Sequence, residues 1–215
     1  MTISCSAILF DLDGVLIQSR AVVERQWMRW AREHNLDPDY VVHAAHGRPT
    51  VETIRELLPS IDAVAESLIV EDREIADVDG VYATEGAAHL LASIPAGRWT
   101  VVTSAMRRMA ESRLRQFGLP LPPAMVTADD ITRGKPDPEP YRKGASALGF
   151  PANKCVVVED APAGIRSAHA AGARVIAIPT TYSRAEISGA DYVVERLSGL
   201  QIRVINAELQ ISLLE

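Results

Sequence analysis

The sequence predicts a doubly wound α/β fold, a mostly parallel sheet with helices on both faces, that carries an inserted small α-helical cap. Three observations predict it. Short apolar runs recur along the chain, helical patterns that end at glycine separate them, and one long interval after the first run has helical patterns only. Continuous apolar runs are typical of parallel strands buried on both faces. Hydrophobic residues make up 47% of the 215 residues, which is enough to fill such a core.

The predicted strands are short apolar runs that end at a polar residue, glycine or proline. They are Ala7 to Phe10, Trp99 to Thr103, Ala124 to Thr127, Cys155 to Val158, Val175 to Ile178 and Tyr192 to Val194. Three helices are predicted between them, each with glycine just past its end as a stop signal. They are Met106 to Phe117, Pro138 to Leu148 and Ala163 to Ala171. The stretch from Ser198 to Glu215 is apolar enough to pack, but its pattern assigns no element type.

The interval between the first strand and Tyr82 has no strand pattern. It contains amphipathic segments such as Ala21 to Leu36 and Pro49 to Leu58. Such a block is too long for a strand-to-helix loop and too helical for a linker. We therefore expect residues 18–82 to form a helical cap, and residues 1–17 with 83–215 to form the core.

The composition argues against nucleic acid, membrane and secretion. With 28 acidic residues against 22 basic ones the net charge is −6, and no basic block offers a surface for a phosphate backbone. No segment has the ~18 apolar residues of a membrane span, and the N-terminus lacks the basic start of a signal peptide. Cys5 and Cys155 lie beside apolar runs like core residues, so a reducing cytoplasm is expected. We expect a monomer or a small homo-oligomer.

Reactive side chains directly follow the predicted strands. Because ligands bind at the carboxyl ends of strands in an open parallel sheet, we expect these side chains to share one pocket. They are Asp11, Asp13, Thr103, Ser104, Lys135, Glu159 and Asp160. Lys135 is notable because the chain has 19 arginines and only three lysines, and because glycine and proline flank it. Carboxylates, hydroxyls and one lysine are a set that suits phosphoryl transfer with Mg²⁺, which prefers oxygen ligands.

The spacing of the first two carboxylates suggests a division of labour. Asp11 and Asp13 are two residues apart, so on an extended strand both face the pocket. One can attack phosphorus while the other protonates the leaving oxygen and later deprotonates water. Asp11 and Asp160 can supply metal ligands, and Thr103 and Lys135 can hold the phosphoryl oxygens.

Four segments resemble, in order, the signature motifs of the haloacid dehalogenase-like hydrolase superfamily. They are Asp11 to Val15, Val101 to Ser104, Gly134 to Pro138 and Val158 to Gly164. The helical insertion is similar to the small cap of that superfamily's β-phosphoglucomutase-like and sugar-phosphatase branch, with a Rossmann-like core. The resemblance implies that Asp11 is the nucleophile and that Asp13 is the general acid/base, whose backbone carbonyl faces the metal. It also implies that Thr103 and Lys135 bind the phosphate and that Asp160 and Glu159 are the metal carboxylates.

Departures from the branch favour a phosphatase of a small phosphorylated sugar or polyol. Asp13 argues against a dehalogenase, because the dehalogenases of this branch lack this second carboxylate. The mutases carry a cap-side histidine where this chain has Val22 to Glu24, and Ser-Lys where it has Ala105 and Met106. A phosphosugar mutase is the alternative. Two alternatives come from other classes. A receiver-like phosphorylation switch is disfavoured because receivers have no such cap. A catalytically silent binding protein is disfavoured because it would be expected to have lost a motif residue, and none is lost here.

Several site residues have two interpretations. Ser104 can bind phosphate or cap the following helix, and Glu159 can bind the metal or support Asp160. In the cap, His46 and Arg48 can face the leaving group of the substrate or lie solvated in a turn. The branch also has Asp-Ser where this chain has Gln18 and Ser19, so a hinge or water contact there is open.

Overall fold

The structure, a computed structural model, describes residues 1–45 and 47–214. Its strands are β1 Thr2–Cys5, β2 Ala7–Phe10, β3 Ile17–Gln18, β4 Tyr82–Ala83, β5 Trp99–Val101, β6 Cys155–Glu159, β7 Arg174–Ala177, β8 Tyr192–Val193, β9 Leu200–Ile205 and β10 Glu208–Leu213. Its α-helices are α1 Arg20–Glu33, α2 Pro38–Ala45, α3 Thr50–Leu57, α4 Ala63–Ala76, α5 Ala87–Ala92, α6 Arg107–Gln116, α7 Glu139–Ala147 and α8 Pro162–Ala171. No helix among these residues has the length and apolar character needed to cross a membrane.

A five-stranded parallel sheet in the order β5, β2, β6, β7, β8 forms the centre of the fold. The chain passes from β2 to β5 on one side and later returns to β6 on the other side of β2. Loops diverge where the strand order reverses, and open parallel sheets bind their ligands there. The predicted doubly wound α/β fold is confirmed.

Both faces of this sheet are covered by helices. Alternate residues of β2 enter two hydrophobic clusters, Ile8 and Phe10 in one and Ala7 and Leu9 in the other. Helices α5 and α6 contribute to the first cluster, and α7 and α8 contribute to the second. The burial of both faces explains why the strands are continuous apolar runs rather than alternating ones.

Helices α1 to α4 lie between β3 and β4 and pack on a cluster of their own around Trp27 and Trp30. Strands β3 and β4 pair antiparallel, with Gln18 opposite Tyr82, so the two connections to the helices run side by side. Gln18 Nε2 donates to Gly14 O at 3.1 Å and to Thr84 Oγ1 at 2.8 Å. The sequence pattern did not predict β3. The boundaries expected for the cap, 18–82, fall on this strand pair, and the division into cap and core stays a prediction.

Two further segments differ from the sequence expectations. Residues 124–127 do not form the predicted strand, because Val126 makes only an isolated bridge to Val102. Pro122 and Pro123 lack N–H donors, and Thr127 already caps a 3₁₀ turn with Asp130. The untyped C-terminal stretch contains β9 and β10, which form an antiparallel sheet with β1.

Candidate active site

Two neighbouring strands bring three carboxylates together. Asp11 follows β2, while Glu159 ends β6 and Asp160 comes directly after it. Because Phe10 pairs with Val158 in parallel register, the three residues reach the same edge of the sheet. One oxygen of each carboxylate lies within 4.8 Å of the others. The structure therefore places the carboxylates of the first and fourth motifs in one site.

Gly14 permits the turn that follows. Its φ of 86° lies in the left-handed region, and a Cβ at this position would collide with the carboxylate of Asp160. A side chain here would thus strain the backbone and displace one of the three carboxylates.

Lys135 lies at the centre of the cluster. Its Nζ donates to Asp11 Oδ1 at 2.6 Å, to Glu159 Oε1 at 2.8 Å and to Val102 O at 3.2 Å. The side chain is 3% exposed, so these interactions are shielded from water. The ammonium has three N–H donors and all are used, so a phosphoryl oxygen would have to replace one of these acceptors.

Glu159 is held by four hydrogen bonds. Its Oε1 accepts from Lys135 Nζ and from Tyr141 Oη at 2.8 Å, and its Oε2 accepts from the N–H groups of Asp160 and Ala161, also at 2.8 Å. Gly164 makes room for this carboxylate, because a Cβ there would collide with it. Both oxygens of Glu159 thus accept from protein donors, which ties this carboxylate to Lys135 and to the loop of Asp160, and its expected contact with a metal stays a prediction.

The charges of the cluster are unevenly compensated. Burial raises the pKa of Asp11 to about 7, although Lys135 opposes the shift. Burial and the nearby carboxylates raise the pKa of Asp160 well above its ordinary value. Burial would also raise the pKa of Glu159, but the charge and hydrogen bond of Lys135 bring it below its ordinary value. Burial would lower the pKa of Lys135, but Asp11 and Glu159 hold it well above its usual range.

A divalent cation fits this imbalance. Burial and the excess negative charge of three carboxylates around one ammonium group together raise the pKa of Asp11 and of Asp160. Carboxylate oxygens are the donors that hard divalent cations prefer. The residues present are therefore compatible with a divalent metal held by Asp11 and Asp160.

Asp13 lines the same pocket but has different hydrogen-bond partners. Its Oδ1 accepts from Ser19 Oγ at 2.6 Å and from Arg113 Nη1. Arg113 Nη2 in turn donates to Glu74 Oε2 at 2.9 Å. The side chain of Asp13 is 29% exposed, whereas those of Arg113 and Glu74 are 5% exposed. Asp13 is thus the most accessible carboxylate of this group and is tethered from one oxygen.

The two hydroxyls of the second motif have separate environments. Thr103 is buried, and its Oγ1 accepts from the N–H of Ala105 at 3.1 Å, so its own proton remains to be donated. Ser104 Oγ donates to Gly47 O at 3.2 Å, which joins this loop to the segment that follows α2. The helix-capping interpretation of Ser104 is wrong, because α6 begins at Arg107 and its N-cap residue is Met106.

Helices α1 to α4 contribute one wall of the pocket. This wall includes Val23, Trp27, Arg48 and Glu74. Arg48 lines the pocket and pairs through Nη2 with Glu56 Oε2 at 2.6 Å. His46 lies outside the described residues, so its expected contact with the substrate stays a prediction.

Arg113, Glu74 and Tyr141 line or support the site but were missed by the sequence reasoning. All three lie within helices, where no strand end marks them. Arg113 is one of 19 arginines, and only the three-dimensional packing of α6 against α4 distinguishes it. A weak signal for Tyr141 exists, since it lies in the helix that follows the Lys135 loop.

The comparisons with known proteins agree with this geometry. The sequence profile of the haloacid dehalogenase-like hydrolases matches residues 8–178. Hexitol phosphatase A of Escherichia coli is 39% identical over 206 residues, which cover 92% of this chain and 94% of that protein. Glycerol-1-phosphate phosphohydrolase 1 of Saccharomyces cerevisiae is 34% identical, over 97% of this chain and 89% of that protein.

A solved structure shows the same fold. The crystal structure of a hydrolase from Pseudomonas syringae superposes with a TM-score of 0.79 at 24% identity. The superposition covers 89% of this chain and 94% of that chain. The likeness therefore extends through the parallel sheet and the helices inserted after β3.

Proposed function

Because this chain belongs to the haloacid dehalogenase-like hydrolase family, we propose that it is a Mg²⁺-dependent phosphatase that acts through an aspartyl phosphate on Asp11. The substrate is a small phosphorylated sugar or polyol, which the hexitol phosphatase and the glycerol-1-phosphate phosphohydrolase among the relatives support. One observation carries the proposal. A buried carboxylate, Asp11, lies 2.6 Å from Lys135 in the pocket that also contains Asp13.

In the first half-reaction, an oxygen of Asp11 attacks phosphorus and the bond from phosphorus to the leaving oxygen breaks. Asp13 donates a proton to that oxygen, so that a sugar or polyol leaves as a neutral hydroxyl compound. The ammonium of Lys135 and the hydroxyl of Thr103 offset the charge on the phosphoryl oxygens. The burial of Asp11 and Lys135 strengthens these interactions, because little water screens them.

In the second half-reaction, Asp13 accepts a proton from water, whose oxygen attacks phosphorus. The bond between Asp11 and phosphorus breaks, inorganic phosphate leaves, and both carboxylates return to their starting state. Asp11 and Asp160 would hold Mg²⁺, which when bound supplies positive charge beside the phosphoryl group. Glu159 keeps Lys135 and the Asp160 loop in place through its four hydrogen bonds.

The charge of the pocket favours a phosphatase over a mutase. A mutase of this type passes through a bisphosphate, which needs positive charge for a second phosphate. Every arginine among the described residues of the pocket is already paired with a carboxylate: Arg20 with Glu24, Arg48 with Glu56, and Arg113 with Asp13 and Glu74. The described residues of the pocket thus offer no unpaired arginine to a second phosphate, which favours a leaving group with hydroxyl groups over one with a second anion.

A substrate screen tests this proposal. The protein is incubated with Mg²⁺ and a series of hexitol, hexose and glycerol monophosphates, sugar bisphosphates and inorganic pyrophosphate, and free phosphate is measured. We expect release of phosphate from the monophosphates, with weaker activity on the bisphosphates. With a hexose 1-phosphate and its bisphosphate, we expect free phosphate and no hexose 6-phosphate. Isomerisation without release of phosphate, or cleavage of pyrophosphate alone, would contradict the proposal.

Three further predictions accompany this function. The cap is residues 18–82, supported by the separate hydrophobic cluster of α1 to α4. The location is the cytoplasm, supported by Cys5 and Cys155, which are both buried free thiols. The protein is a monomer or a small homo-oligomer whose partner is the small phosphoester alone.

A further inference from the structure

We propose that Arg113 is a positioning residue that holds the general acid/base Asp13 in place and ties its orientation to α4 through Glu74. This inference rests on the proposed phosphatase function and deepens it. It starts from one guanidinium group that donates to two carboxylates from different parts of the chain, Asp13 Oδ1 and Glu74 Oε2. Neither the sequence motifs nor a contact with the other catalytic residues assigns a role to Arg113.

The position of Arg113 leaves it few alternatives. It lies on α6 with 4% of its surface exposed, and Glu74 on α4 is 6% exposed. Burying two charges is costly, and the cost is offset only when both are paired in good geometry. The planar guanidinium has donors in a fixed fork, so one group can hold two carboxylates at once. Arg113 is therefore locked in place by Glu74, and Asp13 is locked by Arg113.

The hydrogen bonds of Asp13 are divided in a way that suits its proposed task. Oδ1 accepts from both Arg113 and Ser19, whereas no hydrogen bond from the described residues reaches Oδ2. One oxygen is thus anchored and the other is left to exchange a proton with the leaving oxygen or with water. Proton transfer requires distances of about 2.6 to 3.2 Å, so a carboxylate that rotates freely would lose rate.

The same bridge links α4 to the catalytic carboxylate. Glu74 lies in the helical insertion between β3 and β4, while Arg113 and Asp13 lie outside it. A displacement of α4 away from α6 would withdraw Glu74 and release Arg113. Arg113, which anchors Asp13, therefore keeps its second carboxylate only when the insertion is packed as in this structure.

The adjacent pair on these two helices provides a matched control. Arg108 on α6 donates to Asp72 Oδ1 on α4 at 2.5 Å and to Leu68 O at 3.0 Å. It therefore joins the same two helices, but among the described residues it contacts none of the catalytic carboxylates and does not line the pocket. Arg108→Met weakens the packing of α4 on α6 without touching Asp13, whereas Arg113→Met does both.

The test compares an alkyl phosphate, glycerol 1-phosphate, with an aryl phosphate, 4-nitrophenyl phosphate. An aryl leaving group departs with little help from an acid, whereas an alkoxide needs the proton of Asp13. We expect Arg113→Met to lower kcat/KM for the alkyl phosphate about 10²-fold and for the aryl phosphate less than about tenfold. A pre-steady-state burst of nitrophenol should accompany the aryl reaction, because the attack of water also needs Asp13. Arg108→Met should leave the ratio of the two kcat/KM values within about twofold of the parent.

Three more variants protect the test against misfolding. Arg113→Lys keeps the charge but not the fork, and Glu74→Gln keeps an oxygen acceptor for Nη2, so both should retain more of the alkyl activity than Arg113→Met and Glu74→Leu. The ratio is taken within one preparation, so an unfolded fraction cancels. Equal losses on both substrates, or the same ratio in Arg113→Met and Arg108→Met, would overturn the inference alone. Failure of the unaltered protein to hydrolyse any phosphomonoester would overturn the proposed function and this inference with it.

Discussion

Four carboxylates of the pocket differ in their partners, and the partners decide what each can do. Asp11 shares Lys135 with Glu159, Glu159 has both oxygens occupied, and Asp160 is buried and forms no ion pair with any described residue. Asp13 is the accessible one and is tethered by Oδ1. A nucleophile, a support, a metal ligand and an acid/base can thus coexist within one site, because burial and hydrogen bonding separate their chemistry.

The assignment of Asp160 can be tested without measuring activity. Binding of Mg²⁺ to the folded state alone should stabilise the protein by about 2.7 kcal/mol at a concentration of 100 times Kd, which raises Tm by roughly 5 to 10 °C for a chain of this size. Asp160→Asn should lose most of this shift, since it removes one of two carboxylate ligands. The measurement is thermal unfolding with and without MgCl₂. Glu195→Gln, which alters an exposed carboxylate outside the pocket, is the control and should keep the shift.

At the same scale, the sequence could predict only part of the site. Asp11, Thr103, Glu159 and Asp160 each lie at or just past the end of an apolar strand, so the parallel sheet alone brings them to one edge. Arg113 could not be predicted in this way. Its role depends on which side of α6 faces Asp13, and that is set by the packing of α4, which no local pattern encodes.

The packing of α4 on α6 is an unusually charged contact between elements. Glu71 is 1% exposed, and its Oε2 accepts no hydrogen bond from the described residues, although Arg108 Nε lies 3.5 Å away. Burial raises the pKa of Glu71 to about 7, and Arg108 only partly opposes this shift. The contact therefore contains a carboxyl group that is stable when neutral and costly when ionised.

This cost predicts a pH dependence of stability. The pKa of Glu71 is higher in the folded state than its ordinary value of 4.5, so its favourable contribution is full below pH 4.5 and is lost as the pH rises through about 7. Glu71→Gln should therefore be more stable than the parent at pH 8 by about 1 to 3 kcal/mol, with a much smaller difference at pH 4.5. Urea unfolding at the two pH values measures this.

Asp72→Asn is the matched control for that experiment. Asp72 is the next residue on α4 and also pairs with Arg108, but its side chain is 67% exposed. An exposed pair contributes little, so this variant should differ from the parent by less than about 1 kcal/mol at both pH values. A stabilisation by Glu71→Gln that is equal at pH 4.5 and pH 8 would show that the carboxyl group does not titrate in this range.

The elements themselves were predicted with uneven success for physical reasons. The predicted ends of helices α6, α7 and α8 each lie within one residue of the observed ends, because glycine stops and apolar periodicity are local signals. Strand β3 has two residues and exists only because β4 pairs with it across the inserted helices. The hairpin of β9 and β10 turns at Asn206 and Ala207, both with positive φ, a conformation that alanine seldom signals.

On the scale of the whole molecule, the pocket is lined by residues from two parts of the chain. One part is Asp11 and Asp160 at the edge of the parallel sheet, with Lys135 from the loop before α7, and the other is Trp27 and Glu74 from the inserted helices. The contacts that join them reach the catalytic loops directly. Ser104 Oγ donates to Gly47 O, and Gly134 N donates to Glu52 Oε1 at 3.2 Å. The packing of the helical insertion and the order of the catalytic loops are therefore expected to depend on one another.

The acidic net charge of the chain is also compatible with an anionic substrate, for a reason that belongs to this scale. A chain with net charge −6 can accommodate an anionic phosphoester, because Lys135 and a divalent metal held in the cluster would together offset the charge of Asp11, Glu159 and Asp160. The sequence predicted the fold class and the motif residues, since both follow from strand order. The sequence could not predict the charge balance of the pocket lining, because that balance depends on which arginines are already paired with carboxylates.

The central claim is that the phosphoryl group passes through Asp11, and trapping it there is the most direct measurement. Asp13→Asn should accept the group from 4-nitrophenyl phosphate but release it slowly, because water attack lacks its base. After the reaction is quenched in acid, reduction with borohydride should convert phosphorylated Asp11 alone to homoserine, which peptide mass spectrometry detects. No conversion is expected in Asp11→Asn. A phosphoryl group found on another side chain, or Mg²⁺-dependent turnover that persists in Asp11→Asn, would contradict the account.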